Sequence, residues 1–404
     1  MRSKSIIMGV LILVAVFISI TTVSAQPAVK PPIKAGVLLA LTGPHAMIGK
    51  TTLEGVLVGF GRRDNKVAGR KIEIIVEDDE GKPEVALTKT KKLVEKDNVQ
   101  VMFGPVSSAS AYAIREYLRT AKVPLMMICA GAGGLTRENM SPYVFRVWHG
   151  AGMYNAAKWG YEKMGCRKAI FSGVDYAYGR EIGEGFAKGF TRAGGTMVGE
   201  VFAALGTKDY GPYVTKIGKL AEDTGADCLG FIYAGSDVVS FVNQLDEYGL
   251  KKKFRFIVNY AGTLTGRVLT EIGKSAIGIY EVCPYSRYTD NAENREFIKL
   301  MEKKGGPGYM EGMATAGYLG VDVICRAIEQ IKGNVEDKPR FLEAIRNVRY
   351  ESIFGPFEFD PRDQNLRIHY KMLRCEMVKG KLDQVLIDTI PNTEDWWWTE
   401  QKGK

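Results

Sequence analysis

Short apolar runs alternate with longer amphipathic segments along most of this chain. The runs are rich in β-branched residues and read IKAGVLLAL, KIEIIVEDD, VQVMFGPV, VPLMMICA, KAIFSGVD, TMVGEVFA, DCLGFIYAG and FRFIVNY. Segments with helical periodicity separate them, such as PEVALTKTKKLVEKD, SASAYAIREYLRTA, GPYVTKIGKLAED and DVVSFVNQLDEYGL. Strands that are apolar throughout and alternate with helices form parallel sheets covered on both faces. Two such series in tandem predict an α/β protein with two doubly wound, Rossmann-like lobes.

An internal repeat supports two related lobes. The segments GKTTLEGVLVGF (49–60) and GREIGEGFAKGF (179–190) share glycine at their first, seventh and eleventh positions and phenylalanine at the twelfth. Each segment follows a strand and a turn and precedes a second strand. We interpret them as two copies of one β-turn-helix-β unit, in which glycine lets the helix lie close to its sheet.

The turn after the first strand, TGPHAMIGKTT, imitates a phosphate-binding loop. Such a loop needs four residues between its first glycine and Gly-Lys-Thr, whereas five separate Gly43 from Gly49. Pro44 occupies the position that would satisfy the spacing, and proline has no N–H group to offer. The sequence therefore argues against nucleotide binding at this turn.

The N-terminus predicts export. Arg2 and Lys4 precede an apolar stretch over 6–20, and Val23 and Ala25 suit a secretory cleavage site. We expect residues 1–25 to be a signal peptide and the mature protein to be free in the periplasm. The formal charge of +9 is scattered among acidic residues, which indicates solvated helix faces and no nucleic-acid surface.

Six cysteines show neither CxxC nor metal-ligand spacing. Cys166 and Cys228 each lie seven residues before a glycine that ends an apolar strand, so they are predicted to lie at the starts of neighbouring parallel strands. An exported compartment permits a disulfide between them, and buried free thiols are the alternative. The three histidines His45, His149 and His369 share no metal or catalytic spacing, and we expect neither a metal nor a cofactor.

The ordered series of motifs resembles a known family. The run LTGPHAMIG, the stretch IEIIVEDDEGKPEVALTKTKKLVEKDNVQVMFGPVSS, and the later VPLMM, VDYAYGRE and GPFEFD are similar to periplasmic solute-binding proteins of the branched-chain amino-acid type, which serve ABC importers. The resemblance spans about 33–390. It implies two lobes joined by three hinge crossings, near Arg146, near Cys283-Pro284 and near Phe354-Gly355-Pro356.

The implied domain organisation is discontinuous. Lobe 1 is expected from 33–146 plus 284–353, lobe 2 from 147–283 plus 354–390, and a C-terminal tail over 391–404. The tail contains three consecutive tryptophans, and a helix or strand cannot bury all three on one face. We expect at least one of them to pack across lobe 2 or to remain exposed.

Ligands of open α/β sheets bind beyond the carboxyl ends of the strands, which selects loops from both lobes. In lobe 1 these are Pro44–Ile48, Pro105–Ser108 and Ala130–Gly133; in lobe 2 they are Tyr176 and Tyr178, Gly235–Asp237 and Asn259–Gly262. The predicted site residues within these loops are Ile48, Ser107, Ser108, Ala130, Gly131, Ala132, Tyr178, Ser236, Asp237 and Tyr260. His45 is either a further hydrogen-bond donor to the ligand or a surface loop residue.

Serine at the start of SASAYAIREYL is a natural helix cap, and a hydroxyl beside free helix N–H groups favours an anion. In similar proteins this serine and the backbone after the next strand hold the ligand carboxylate, which implies that role for Ser108, Ala130 and Ala132. Amino-acid-binding relatives usually carry threonine where Ala132 stands, so this chain departs from them.

The resemblance leaves the ligand class open. Amino-acid binders of the family pair the ligand ammonium with an acidic residue in the loop after the strand FRFIVNY, and Asn259 to Gly262 contain none. Asp237 either replaces that acid or caps the following helix. In the second case the ligand is a carboxylate or amide without an α-amino group, and Tyr178, Tyr260 and Trp148 flank an aromatic ring.

The sequence is compatible with three functions. The expected one is that of a monomeric substrate-binding component of an ABC importer, which takes a branched-chain or similar amino acid, an aromatic or other organic acid, or an amide or urea-like solute to a membrane permease. A ligand-sensing partner of a membrane receptor is the second. An enzyme is the third, and it is disfavoured because the sequence contains no GxSxG or HExxH motif.

Overall fold

The computed structural model describes residues 30–137, 140–148, 152–260, 264, 266–305, 312–393 and 395–401. The predicted signal peptide, His149 and the segment 261–262 lie outside these residues. The described helices and strands all belong to one unit that runs from Pro32 to Lys404.

Six strands near the N-terminus form the first sheet. They are β1 (Ile33–Leu39), β2 (Lys66–Val67), β3 (Arg70–Asp78), β4 (Val101–Phe103), β5 (Leu125–Met127) and β6 (Val144–Arg146). Their spatial order is β2-β3-β1-β4-β5-β6, and neighbours are parallel except for the short pair β2 and β3. β1 is buried along nearly its whole length, as expected for a strand covered on both faces.

Nine strands form the second sheet. They are β7 (Lys168–Val174), β8 (Thr196–Ala203), β9 (Cys228–Ile232), β10 (Arg255–Asn259), β11 (Tyr280–Cys283), β12 (Tyr350–Ser352), β13 (Gly355–Phe359), β14 (Leu366–Val378) and β15 (Lys381–Thr393). The parallel part has the order β11-β10-β9-β7-β8. β14 adds to β11 antiparallel and carries the hairpin partner β15. The two sheets confirm the predicted pair of α/β lobes.

Helices connect the strands and cover the sheets. They are α1 (Ala46–Gly61), α2 (Pro83–Lys91), α3 (Ser108–Ala121), α4 (Gly152–Met164), α5 (Ala177–Arg192), α6 (Gly211–Thr224), α7 (Ser236–Glu247), α8 (Gly266–Ile272), α9 (Ala292–Gly305), α10 (Gly312–Gln330), α11 (Lys338–Arg346) and α12 (Trp396–Gln401). The helix predicted over Pro83–Asp97 ends as α2 and continues as one π-helical turn, Lys92–Lys96.

Adjacent residues of the strands pack on opposite faces of each sheet. In the first sheet, Val37 belongs to the core cluster that contains Val56 of α1, whereas Leu38 packs with Ile114 of α3. In the second sheet, Phe171 packs against Phe186 of α5, with ring centroids 5.6 Å apart. This alternation is the period-two geometry of strands, and it places helices on both faces.

The repeated glycines have the packing role that the sequence predicts. A Cβ atom on Gly49 would lie 1.9 Å from the carbonyl oxygen of Ala40, and one on Gly179 would lie 2.0 Å from that of Val174. In both copies, therefore, only glycine lets the helix touch the end of the preceding strand. Lys50 and Thr51 lie inside α1 and form no phosphate loop.

Cys166 and Cys228 are both buried free thiols. The prediction that they lie at the starts of neighbouring strands is confirmed, because β7 and β9 pair in parallel with Ala169 opposite Cys228. Of the two alternatives for these cysteines, the structure has the buried thiols and not the disulfide.

A buried lysine joins two of the predicted crossings. The Nζ atom of Lys371 donates hydrogen bonds to the carbonyl oxygens of Pro284 (2.9 Å), Phe354 and His369 (2.8 Å). Burial lowers the pKa of this ammonium group to about 8. One side chain thus fixes the backbone of both proline-bearing segments, although the exact lobe boundaries stay a prediction.

Candidate ligand-binding site

The N-terminus of α3 meets the loop that follows β5. Ser107 is the N-cap of α3, and its hydroxyl accepts from the N–H of Ser110 at 3.5 Å. Ser108 is buried, and its Oγ accepts from the N–H of Ala132 at 3.2 Å. The N–H of Ala130 donates to the carbonyl of Pro105 at 3.2 Å. The structure therefore brings Ser107, Ser108, Ala130 and Ala132 together at one edge of the first sheet.

Tyr178 of α5 faces this edge from the second sheet. A Cβ atom on Gly131 would lie 2.2 Å from Cε2 of Tyr178, so the tyrosine ring packs directly on the glycine backbone. The Tyr178 hydroxyl accepts from Nδ2 of Asn259 at 3.0 Å. Burial raises the pKa of this hydroxyl, which is therefore neutral. Loops from both sheets thus meet at Gly131 and Tyr178.

Tyr178 forms a group of three aromatic residues with Trp148 and Tyr260. The rings of Trp148 and Tyr260 lie 4.9 Å apart at 48°, and the Trp148 indole hydrogen-bonds the Tyr178 hydroxyl. All three side chains are buried, and the Tyr260 hydroxyl lies beside Thr315 and Cys283. Such an arrangement can enclose the face and edge of a flat apolar ligand.

Asp237 does not cap the helix that follows it, and its role as partner of a ligand ammonium stays a prediction. α7 begins at Ser236 and has Gly235 at its N-cap, so the helix-cap alternative for Asp237 is wrong. Gly235 has a φ of +59°, which lets the chain enter the helix two residues earlier than an aspartate cap would. The Asp237 carboxylate instead accepts from the N–H of Gly206 at 2.8 Å and acts electrostatically on the Tyr210 hydroxyl.

Ile48 and Ser236 do not join the group formed by Ser108, Ala132 and Tyr178 within the described residues. Ile48 packs against the main hydrophobic core, and Ser236 is exposed. Met47 makes the contact between the loop before Ile48 and the loop before Ser236. A Cβ atom on Gly235 would lie 3.0 Å from the Cε atom of Met47.

His45 lies between acidic residues of the two lobes. It occupies the N-cap position of α1, and both Asp79 and Asp237 act on it electrostatically. Burial lowers the pKa of His45, against the opposite effect of these two carboxylates. The side chain is half-buried, so the surface-loop alternative describes it only in part.

A buried cluster of charged residues adjoins the Ala130–Gly133 loop. The N–H of Gly133 donates to Oε2 of Glu181 at 2.6 Å, and Arg137 bridges Glu181 (2.7 Å) and Asp395 (2.8 Å). Nη1 of Arg146 donates to the carbonyl of Ala132. Glu181, Arg137 and Asp395 thus connect the first-sheet loop with α5 and the C-terminal segment.

No member of this charged cluster was predicted from the sequence to be a site residue. Arg146 entered only as a hinge position, and Asp395 only as part of the tail. The available signal was a lone arginine inside the apolar run YVFRVW, because a buried charge needs a dedicated partner. The hydrogen-bonded partners Gly133 and Glu181 lie 48 positions apart, and Arg137 and Asp395 lie 258 positions apart. No local sequence pattern therefore reveals these pairs.

No helix within the described ranges has the length and apolar content that a bilayer crossing requires.

Comparison with known proteins identifies the family of this chain. The periplasmic binding protein family model matches residues 32–380. The Leu/Ile/Val-binding protein homolog 6 of Brucella melitensis is 26% identical over 356 residues, which cover 86% of this chain and 89% of the relative.

Two solved structures are similar over nearly their whole length. An ABC transporter substrate-binding protein from Sphaerobacter thermophilus is 35% identical with a TM-score of 0.85, covering 90% of this chain and 99% of that one. A solute-binding protein of an ABC transporter from R. palustris, in complex with 4-hydroxybenzoate, is 28% identical with a TM-score of 0.84, covering 92% and 100%. The chain therefore belongs to the periplasmic binding protein family and has the two-lobed fold of its type I members.

Proposed function

We propose that this protein captures a small aromatic carboxylate between its lobes and delivers it to the membrane permease of an ABC importer. The proposal rests on one observation: a polar surface from the first sheet lies next to an aromatic surface. A polar edge with Ser108 and Ala132 lies on the first sheet, and the aromatic group Trp148, Tyr178 and Tyr260 lies opposite it.

The polar edge suits a carboxylate. Ser108 stands in the first turn of α3, where the free N–H groups and the helix dipole favour negative charge. Its hydroxyl oxygen already accepts from Ala132, which leaves the hydroxyl proton to donate to a ligand oxygen. A carboxylate bound there would be held by directed, charge-assisted hydrogen bonds.

The aromatic group suits a ring more than an α-amino acid. An ammonium group in a closed cleft needs a carboxylate or several acceptors. Asp237, the acid proposed for that role, is buried and already accepts a hydrogen bond from the N–H of Gly206. The 4-hydroxybenzoate in the R. palustris protein favours the same ligand class, whereas the name of the Brucella relative favours a branched-chain amino acid as the second candidate.

Binding and lobe closure together would perform the transport function. The contacts of Gly131 with Tyr178 and of Gly133 with Glu181 join the two sheets in a closed arrangement. A ligand that touches both surfaces stabilises this arrangement and shifts the equilibrium toward it. We further propose that the exported chain acts as a periplasmic monomer, which presents both lobes to the permease only when closed.

A ligand screen tests the proposal. Purified mature protein is titrated by calorimetry with 4-hydroxybenzoate, leucine and 4-hydroxybenzamide, and its melting temperature is followed with each solute. We expect 4-hydroxybenzoate to bind at least tenfold more tightly than leucine and to raise the melting temperature. Tighter binding of leucine would establish the amino-acid alternative, and turnover of the amide would establish an enzyme.

A further inference from the structure

Arg146 carries hydrogen-bond donors that no described residue uses. It ends β6, is fully buried, and gives only Nη1 to a protein acceptor, the carbonyl of Ala132. Its Nε and Nη2 groups have no hydrogen-bond partner among the residues that the structure describes. A buried guanidinium with unsatisfied donors is costly, so these groups need an acceptor from outside the described residues, and a bound ligand can supply one.

The two unused groups form one edge of the guanidinium fork. Nε–H and the neighbouring Nη2–H are parallel donors whose spacing matches the two oxygens of a carboxylate. Other arginines of this protein use the same edge to bind carboxylates. Arg137 binds Asp395 through Nε (3.2 Å) and Nη2 (2.8 Å), and Arg362 binds Asp360 through Nε (2.9 Å) and Nη2 (2.5 Å).

The three acids near this edge each have other partners, and no hydrogen bond joins them to Nε or Nη2 of Arg146 among the described residues. Asp395 holds the fork of Arg137, and Glu181 accepts from Gly133 and pairs with Arg137. Asp363 accepts from the Trp398 indole at 2.7 Å and from Asn365 at 2.8 Å. These three acids act on Arg146 only through space.

We propose that Arg146 binds the carboxylate of the transported ligand through its Nε and Nη2 groups. The inference rests on the proposed function and deepens it, because it names a specificity-determining residue. Arg146 holds the carbonyl of Ala132 while Ser108 holds the N–H of the same residue, so arginine and serine flank one point of the cleft loop. Tyr370 lies within electrostatic reach of both Arg146 and Tyr178, which places the aromatic group nearby.

This assignment predicts a sharp chemical preference. A carboxylate can accept both fork hydrogen bonds, whereas an amide of the same shape presents one oxygen and a donor that opposes the guanidinium. An α-ammonium beside the carboxylate would repel Arg146 as well. The protein should therefore select carboxylates over their amides and over amino acids.

Calorimetric titration of the mature protein with 4-hydroxybenzoate and 4-hydroxybenzamide tests the assignment. Arg146→Gln removes the fork, and Arg146→Lys keeps the charge without the fork. Arg362→Gln is the matched control, because its fork binds a carboxylate outside the cleft. We expect Arg146→Gln and Arg146→Lys each to weaken 4-hydroxybenzoate at least tenfold, Arg146→Gln to leave the amide within threefold, and the control to match wild type.

The outcomes separate this inference from the proposed function. Wild-type affinity for 4-hydroxybenzoate in folded Arg146→Gln would overturn the role of Arg146 and leave the proposed function intact. A lower melting temperature with unchanged affinity would likewise overturn it, since it identifies a structural arginine. If neither variant folds, the wild-type protein decides: a tenfold preference for the acid over the amide supports the fork, and equal affinity overturns it. Failure of wild type to bind any carboxylate would overturn both proposals.

Discussion

Individual polar residues of this protein have two different expected effects, one on ligand affinity and one on the pH dependence of stability. Ser108 and Ala132 are linked by one hydrogen bond and retain polar groups that can face a ligand. Glu281, by contrast, is a fully buried carboxyl of β11, which accepts from the N–H of Leu264 and from the Gln384 amide. The first pair is expected to govern affinity, and Glu281 is expected to govern how stability responds to pH.

Replacing Ser108 with alanine should weaken a carboxylate ligand by about 1 to 3 kcal/mol, because one charge-assisted hydrogen bond is lost. Titration with 4-hydroxybenzoate measures the change. Thr120→Ala is the matched control, since Thr120 is an exposed hydroxyl on the same helix that bonds only the carbonyl of Glu116. Equal affinities for the Ser108 and Thr120 variants would remove Ser108 from the site.

Glu281 should make the folded protein less stable as the pH rises from about 4.5 to about 7. Burial raises the pKa of this carboxyl from 4.5 to about 7, so in that window the folded state holds a proton that the unfolded state has released. The free energy of unfolding should fall by about 3 kcal/mol across the window. Urea denaturation at several pH values measures the slope, and Glu281→Gln should flatten it. An unchanged slope would show that other groups control it.

At the scale of helices and strands, the sequence predicted what local patterns encode. α3 covers 108–121 and β8 covers 196–203, the same bounds that the amphipathic and β-branched runs predict. The long hairpin of β14 and β15 was not predicted, because its burial depends on pairing with β11 almost a hundred residues away. Arg146 was missed for a similar reason, since its environment is built by residues distant in the chain.

The C-terminal helix α12 is the element whose role only the structure defines. Trp396 is buried against α5, where its Nε1 lies 3.0 Å from the position of a Cβ on Gly185. It also stacks on Tyr154 and flanks Arg137 at 4.7 Å. Trp397 and Trp398 are half-buried. This agrees with the expectation that at least one of the three tryptophans packs across lobe 2 or remains exposed.

Trp396→Ala should lower the free energy of unfolding by about 3 kcal/mol or more, because it leaves a cavity between α4, α5 and Arg137. Chemical denaturation followed by circular dichroism measures the loss. Trp397→Ala is the matched control from the same helix, and it should cost clearly less because its ring is half-exposed. Equal losses for the two variants would mean that burial of Trp396 is not what anchors α12.

At the scale of the whole molecule, the proposed closure would depend on contacts between residues of the two lobes. Glu181 of α5 supplies one of them, since it binds the N–H of Gly133 and pairs with Arg137 across the cleft. Glu184, about one helical turn farther along α5, is exposed, and its one ion-pair partner among the described residues is its helical neighbour Lys188. Two glutamates on one helix thus differ in whether they stabilise the closed arrangement.

Glu181→Ala should therefore shift the lobes toward an open arrangement and weaken 4-hydroxybenzoate about tenfold, because apparent affinity falls with the fraction of binding-competent protein. Glu184→Ala should bind like wild type. Small-angle scattering completes the test. At saturating ligand, the wild-type and Glu181→Ala curves should coincide, because bound ligand restores closure. At the ligand concentration that half-saturates the wild type, the variant should appear more extended than the wild type. If the Glu181 variant keeps wild-type affinity and wild-type scattering at every ligand concentration, the Gly133–Glu181–Arg137 contact does not control closure.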